Sequence, residues 1–298
     1  MKLELHRLLM AAARIFGPWV LVAVSRIVAV GYFCCSRRTG ESHRLYAALL
    51  PEKSALYHRW CTFRQYQNFT TIHVDRLLVN LGRPVPCHGA GPELLKTSPG
   101  EGTILLMSHL GNWEMAARLL MATNRDLQIL LYMGIKEKEG VEGVQKEELR
   151  RAGVKIIGVQ QDQSVPFAAV EGIRLLQAGG LVSMAGDMVW RADQRRLPVT
   201  FLGHRAYVAE APFVFALVSG APLRVFFALR AADGGYVCQL SEPIEVRAAN
   251  REERRLALAA AAQRYADLLA ATLRAHPLEW YHFDRFIHET IAVDPPGG

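Results

Sequence analysis

The sequence is short of every device that would make it a stapled or metal-organised protein. Five cysteines in 298 residues, Cys34, Cys35, Cys61, Cys87 and Cys238, form no CxxC pair and no even framework. They read as reduced thiols in a cytosol-facing protein, with no zinc site expected. Beyond the first few dozen residues, no uncharged apolar run reaches the ~20 residues of a membrane span, which excludes a polytopic membrane protein. Charged residues make up 21% against 51% hydrophobic, a balance that excludes disordered, collagenous and coiled-coil chains. Internal repeats are lacking, and so is a GxSxG nucleophile elbow. What is left is a globular chain of one large domain or two small ones.

The net charge of +7 is placed unevenly. Residues 1–80 carry eleven Lys and Arg against four acids, and the remaining residues are balanced. An anionic partner at that end is implied: nucleic acid, a membrane surface or an acidic protein. Residues 8–35, LLMAAARIFGPWVLVAVSRIVAVGYFCC, are interrupted only by Arg14 and Arg26. If Arg26 snorkels, this stretch is just long enough for one tilted span, with Trp19 and Tyr32 as interfacial anchors. A helix lying in the interface fits the composition equally, and a buried helix opening a soluble domain is the plainer alternative. Arg37, Arg38 and Arg44 follow, each worth roughly 1 kcal/mol beside anionic headgroups. Membrane attachment through residues 1–36 is expected. Nucleic acid is not, because no zinc-finger, helix-turn-helix or RNP pattern occurs.

Residues 41–80 read as two helices parted at Pro51, and residues 83–92 as a Pro- and Gly-rich connection. Then the pattern changes. Short, nearly continuous apolar runs at 102–108, 127–133, 154–159 and 181–187 alternate with helical stretches at 113–121, 139–151 and 165–176. Such alternation predicts an α/β fold, a mostly parallel central sheet flanked by helices. Strands at 222–230 and 236–246, joined by a turn at Asp233-Gly234-Gly235, and a helix at 251–274 complete it. Residues 37–290 form the expected catalytic domain, and 291–298 an unstructured tail.

In an open parallel sheet, reactive groups collect where strands end and helices begin. The first strong strand ends in Ser108-His109, and Leu110-Gly111-Asn112-Trp113-Glu114 opens the next helix. Five residues on a continuous helix would separate His109 and Glu114 by about 140°. A strand–turn–helix junction at Gly111 instead lets the carboxylate fold back toward the imidazole. A histidine held by a carboxylate can take a proton from an alcohol, which then attacks a carbonyl with no covalent enzyme intermediate. The bare spacing is equally that of a turn histidine satisfied by its neighbours.

The fuller box, SHLGNWE at 108–114, resembles the His-x4-Asp/Glu motif of the bacterial lipid A biosynthesis acyltransferases, the lauroyl and myristoyl transferases of the lysophospholipid acyltransferase-like superfamily. SHRLYAALLPE (42–52), LRRAGVKII (149–157), GDMVWRADQRRLPVTFLGHRAYV (186–208) and PLEWYHFDRF (277–286) resemble further segments of that family. The resemblance implies an inner-membrane enzyme facing the cytoplasm that moves a fatty acyl group from acyl carrier protein to a lipid hydroxyl, without metal or organic cofactor. It implies His109 as general base, with Glu114 orienting it. Backbone N–H groups at Gly111 and Asn112, with Arg150 or Arg151, are expected to receive the substrate oxyanion; the two arginines read equally as a solvated helix end. Asp187 is read as an acceptor-binding carboxylate or a cap after its strand. Tyr281, His282 and Arg285 are expected to pack the C-terminal segment on the sheet, and Trp113 to be core.

One departure bears on the acceptor. Where the family commonly reads close to DQDxG, this chain has Asp187-Met188-Val189-Trp190-Arg191. The implied acceptor is less polar than a lipid A precursor: another glycolipid, an amino lipid or a polyene-linked head group. A thioesterase using the same pair, with water as nucleophile, is the second enzyme reading. A non-catalytic adaptor for membrane or carrier protein is the third.

Overall fold

A computed structural model describes residues 2–83, 85–88, 102–115, 117, 128–134, 149–150, 153–159, 166–189 and 194–290. The chain opens with four helices, α1 (Lys2–Phe16), α2 (Trp19–Cys35), α3 (Thr39–Leu49) and α4 (Ala55–Asn80). The apolar stretch at 8–35 is therefore not one helix. Gly17, at φ +97°, takes the left-handed conformation that a side chain would resist, and Pro18, with no N–H to donate, opens α2. Among the described residues no single helix is long and apolar enough to cross a membrane. Only α2 and α3 together pass by length and composition, and they are bent by 90°. Ser54 caps α4, accepting the Tyr57 N–H at 3.3 Å.

Strands β1 (Cys87–His88), β2 (Thr103–Met107), β3 (Ile129–Gly134) and β4 (Lys155–Val159) follow. Helix α5 (Pro166–Gln177) and β5 (Leu181–Ala185) lead to a hairpin, β6 (Arg196–Phe201) and β7 (His204–Ala209). Then come α6 (Ala211–Ser219), β8 (Leu223–Arg230), β9 (Tyr236–Leu240), α7 (Arg251–Ala275) and β10 (Ile287–Thr290). Seven strands form one sheet in the order β1-β9-β8-β2-β5-β3-β4. Every neighbouring pair in it is parallel except the β8–β9 hairpin. The expected mostly parallel sheet with flanking helices is present. Of the helix expected at 113–121, the described part is Trp113–Met115 and Ala117; most of that at 139–151, and the tail, lie outside the described residues.

Both faces of the sheet are covered, which is why its strands read as continuous apolar runs. All of β2 is buried. Its alternate side chains serve two cores: Ile104 and Leu106 face Phe213, Tyr265 and Leu269 of the helices α6 and α7. Leu105 and Met107 pack with Ile129, Leu131 and Phe226 on the other side. Each such fully buried side chain is worth roughly 1.5–3 kcal/mol. Asn250 caps α7, its Oδ1 accepting the N–H of Glu252 and of Glu253 at 3.0 Å each.

Three further features of the fold differ from expectation. Strand β1 falls within 83–92, the stretch read as a connection. The strand expected at 236–246 stops at Leu240, and Ile244 makes only an isolated bridge to Leu223. Pro243 lies in between, and proline has no N–H for a ladder. Residues 196–209 form a hairpin that, with β10, makes a separate antiparallel three-stranded sheet. Phe201 from this small sheet packs against Trp280 and Phe286, ring centroids 5.4 and 5.1 Å away. It thereby braces the C-terminal segment that crosses the end of β2.

Candidate active site

Strands β2 and β5 are parallel neighbours, with Met107 paired to Ala185. Two residues further on, in the same register, come His109 and Asp187. Equal overshoot places them side by side at the C-terminal edge of the sheet, where strand order changes direction and ligands bind in such folds. His109 Nδ1 hydrogen-bonds Asp187 Oδ1 at 3.0 Å, and the His109 main-chain N–H donates to Oδ2 at 2.7 Å. Asp187 is buried, while about a quarter of the His109 side chain is exposed. Burial alone would raise the Asp187 pKa. The attraction of the His109 ring and its hydrogen bonds outweigh burial and hold the carboxyl down to about 2. With Nδ1–H given to a carboxylate, the lone pair of the neutral ring lies on Nε2, the arrangement of a general base.

The carboxylate on Nδ1 is thus that of Asp187 rather than Glu114. Glu114 is buried where the next helix begins, and Arg76 of α4 takes it: Nε donates to both oxygens at 2.8 and 2.9 Å, and Nη2 closes the fork. Arg76 is itself buried. The register of two parallel strands decided the pairing, which residue spacing inside one segment cannot reveal. Asp187 is buried, its Oδ1 held by the His109 ring and its Oδ2 by the His109 N–H.

Gly111 and Asn112 also serve differently from the expectation. The Gly111 N–H donates to Glu279 O at 2.9 Å, and the Asn112 N–H to Ala228 O at 2.7 Å. Both donors are committed to holding the turn and are not open to an oxyanion. Gly111 has φ +79°, and a Cβ there would lie 2.2 Å from the Ala228 carbonyl oxygen, so only glycine fits. Asn112 Oδ1 accepts the Met115 N–H at 3.2 Å, and its Nδ2 donates to Tyr236 OH at 2.9 Å. Tyr236 OH donates in turn to Asp75 at 2.5 Å, and Arg230 pairs with the same carboxylate. Burial, with the charge of Asp75 beside it, pushes the Tyr236 hydroxyl pKa up, so it stays a neutral donor.

Arg150 is exposed and lies in the chain just before β4. That is the edge where the parallel strands start, opposite to the edge carrying His109. Arg151 lies outside the described residues. Trp113 packs against Leu105, Met107 and Phe226 around a gap of about 20 Å³, room for about one water; it is core. Ser108 is buried, its Oγ accepting the Leu110 N–H at 3.2 Å. Among the described residues, no group of three or more His, Cys, Asp and Glu side chains could hold a metal ion.

The C-terminal segment closes the edge from above. Tyr281 N–H donates to His109 O at 2.8 Å, and Trp280 Nε1 donates to Asp187 Oδ2 at 2.9 Å. Tyr281 and His282 are buried as expected, and Arg285 is exposed. The His282 ring stands 6.1 Å from that of His109, and burial lowers its pKa, which keeps it neutral. Asp75, Arg76, Trp280 and Tyr236 are the site residues that the sequence reading did not single out. The adjacent opposite charges Asp75-Arg76, set between Val74 and Leu77, were the one visible signal. Two neighbouring charges on an otherwise packed helix face require buried partners.

A family model described as Bacterial lipid A biosynthesis acyltransferase matches residues 88–287. No match was found among proteins of curated function.

Proposed function

Because the chain belongs to the bacterial lipid A biosynthesis acyltransferase family, we propose that it carries a fatty acyl group from an acyl carrier protein thioester to a hydroxyl of a membrane lipid, with His109 as general base. Acyl transfer is the chemistry of that family. The observation supporting this use of the site is the His109–Asp187 pair at the strand ends, one member buried and the other reaching the surface. In this reading Nε2 removes the acceptor proton as the oxygen attacks the thioester carbonyl. Asp187 holds the ring and balances the imidazolium, and the proton leaves with the carrier thiol. The thioester is already activated, so the step calls for no metal or organic cofactor. Glu114 acts through Arg76, fixing the helix that carries the box.

The membrane part of the proposal rests on α1 and α2. Ile15, Phe16, Trp19, Ile27 and Tyr32 are each more than half exposed, an apolar surface of the kind that contacts lipid. Arg37, Arg38 and Arg44 stand exposed beside it. We place the protein on the cytoplasmic face of the inner membrane, lying in the interface. For the acceptor, the half-buried Met188 and Val189 following Asp187 favour a lipid less polar than a lipid A precursor.

Radiolabelled acyl–acyl carrier protein incubated with purified protein and inner-membrane lipid extract tests the assignment. A new acylated lipid is expected, its formation falling by ~10² to 10⁴ in a folded His109→Ala protein. Free fatty acid alone would mean a hydrolase, and unchanged turnover in His109→Ala would end this mechanism.

A further inference from the structure

Asp187 has two oxygens, and a free carboxylate could turn either toward the imidazole or swing away from it. Two donors prevent this. The main-chain N–H of His109 and the indole N–H of Trp280 both end on Oδ2, at 2.7 and 2.9 Å, leaving Oδ1 for the ring nitrogen. Trp280 cannot easily move. It is buried, its backbone bridges Leu110, and its carbonyl oxygen accepts from Gln65 of α4. Phe201 and Phe286 pack on the ring itself. One residue thus joins four separate elements at the catalytic carboxylate.

We propose that Trp280 is a positioning residue for this pair: its indole N–H fixes which oxygen faces the imidazole, and so fixes the tautomer and basicity of His109. The inference rests on the reading of His109 as general base. A tryptophan serving only as core would need its ring and not its nitrogen, so the two roles separate on the N–H alone. Among the described residues, titratable groups beside the pair include His282 on the same segment, with Asp284 beyond it, and Tyr265 of α7. Burial keeps the Tyr265 hydroxyl protonated and lowers the pKa of His282.

The test uses the full chain labelled with ¹⁵N-histidine, its imidazole signals followed against pH, and His109 assigned from a His109→Gln sample. In the wild type the neutral His109 ring should carry its proton on Nδ1. In Trp280→Phe the carboxylate loses one of its three donors and is free to rotate. The Nδ1–H form should then give way to a mixture of tautomers. The midpoint should fall, because a carboxylate that has turned away stabilises the imidazolium less. Should Trp280→Phe fail to fold, 3-benzothienylalanine placed at position 280 keeps the ring shape and removes only the N–H. A folded variant whose His109 tautomer and midpoint match the wild type would overturn the proposal. The readout does not depend on acyl transfer. Active His109→Ala enzyme would remove the proposed function and leave this result standing, and an unmoved tautomer would do the reverse.

Discussion

Two clusters of buried charge lie at opposite ends of one heptapeptide, and they are built for opposite purposes. At its strand end, His109 meets Asp187, a pair in which the imidazole can take up and release a proton. At its helix end, Glu114 meets Arg76, whose guanidinium does not release a proton in proteins. The first pair reaches the surface through the imidazole. The second is closed, both side chains being less than a tenth exposed. Burial of charge is therefore no mark of catalysis by itself; the titratable partner and the open side distinguish the two.

Substituting one carboxylate at a time is the strongest way to break that comparison. Asp187→Asn should keep the fold and lower transfer by ~10² to 10⁴, through loss of the Nδ1–H tautomer. Glu114→Gln leaves the Arg76 charge buried without its counter-ion and should cost about 3–5 kcal/mol of stability. Denaturant melts beside turnover assays at one temperature would read both. If Asp187→Asn lost stability and kept turnover while Glu114→Gln did the reverse, the two roles assigned here would have to be exchanged.

Acid sharpens the same contrast with a smaller effect. The Asp187 carboxyl sits at about 2 in the fold against an ordinary value of 3.8. A depressed carboxylate contributes stability above its unfolded pKa and loses it as pH falls through the folded value. The window is from about pH 4 down to about pH 2, and the contribution is about 2 kcal/mol. Stability measured across that window should fall less in Asp187→Asn than in the wild type. Parallel curves would show that the carboxylate is not held by its histidine.

The gentlest test sets the buried Arg76 against the exposed Arg37, Arg38 and Arg44. Removing residues 1–36 should release most of the protein from vesicles of anionic phospholipid. The binding left to the three exposed arginines, about 1 kcal/mol each, should fall with salt. Full retention of the truncated chain in high salt, measured by sedimentation, would place the attachment elsewhere.

The candidate box and most of the sheet were legible in the sequence because both are local or periodic. Runs such as TILLM are continuously apolar, since both faces of a parallel strand are covered. His109 stands at the end of one because its strand gives way to Gly111, where no side chain fits. The small sheet was less legible. RLPVTF alternates exposed and buried positions, but it falls in a segment read for its likeness to a motif. The Gly111 and Asn112 N–H groups looked open from sequence because nothing local shows that the Glu279 and Ala228 carbonyls reach them.

By itself, then, the sequence pointed to the candidate base, to most strands of the sheet, and to where the unbalanced charge lies. The strands follow from hydrophobic preferences acting over a few residues, and the base was legible through the likeness of its box to a family motif. Only the tertiary structure decided which carboxylate serves that base. His109 and Asp187 are 78 residues apart and meet through the register of β2 on β5. Trp280 joins them by crossing from the far end of the chain. Partners chosen by strand register and by a closing segment are set by the packing of the whole, and no spacing within a motif contains them.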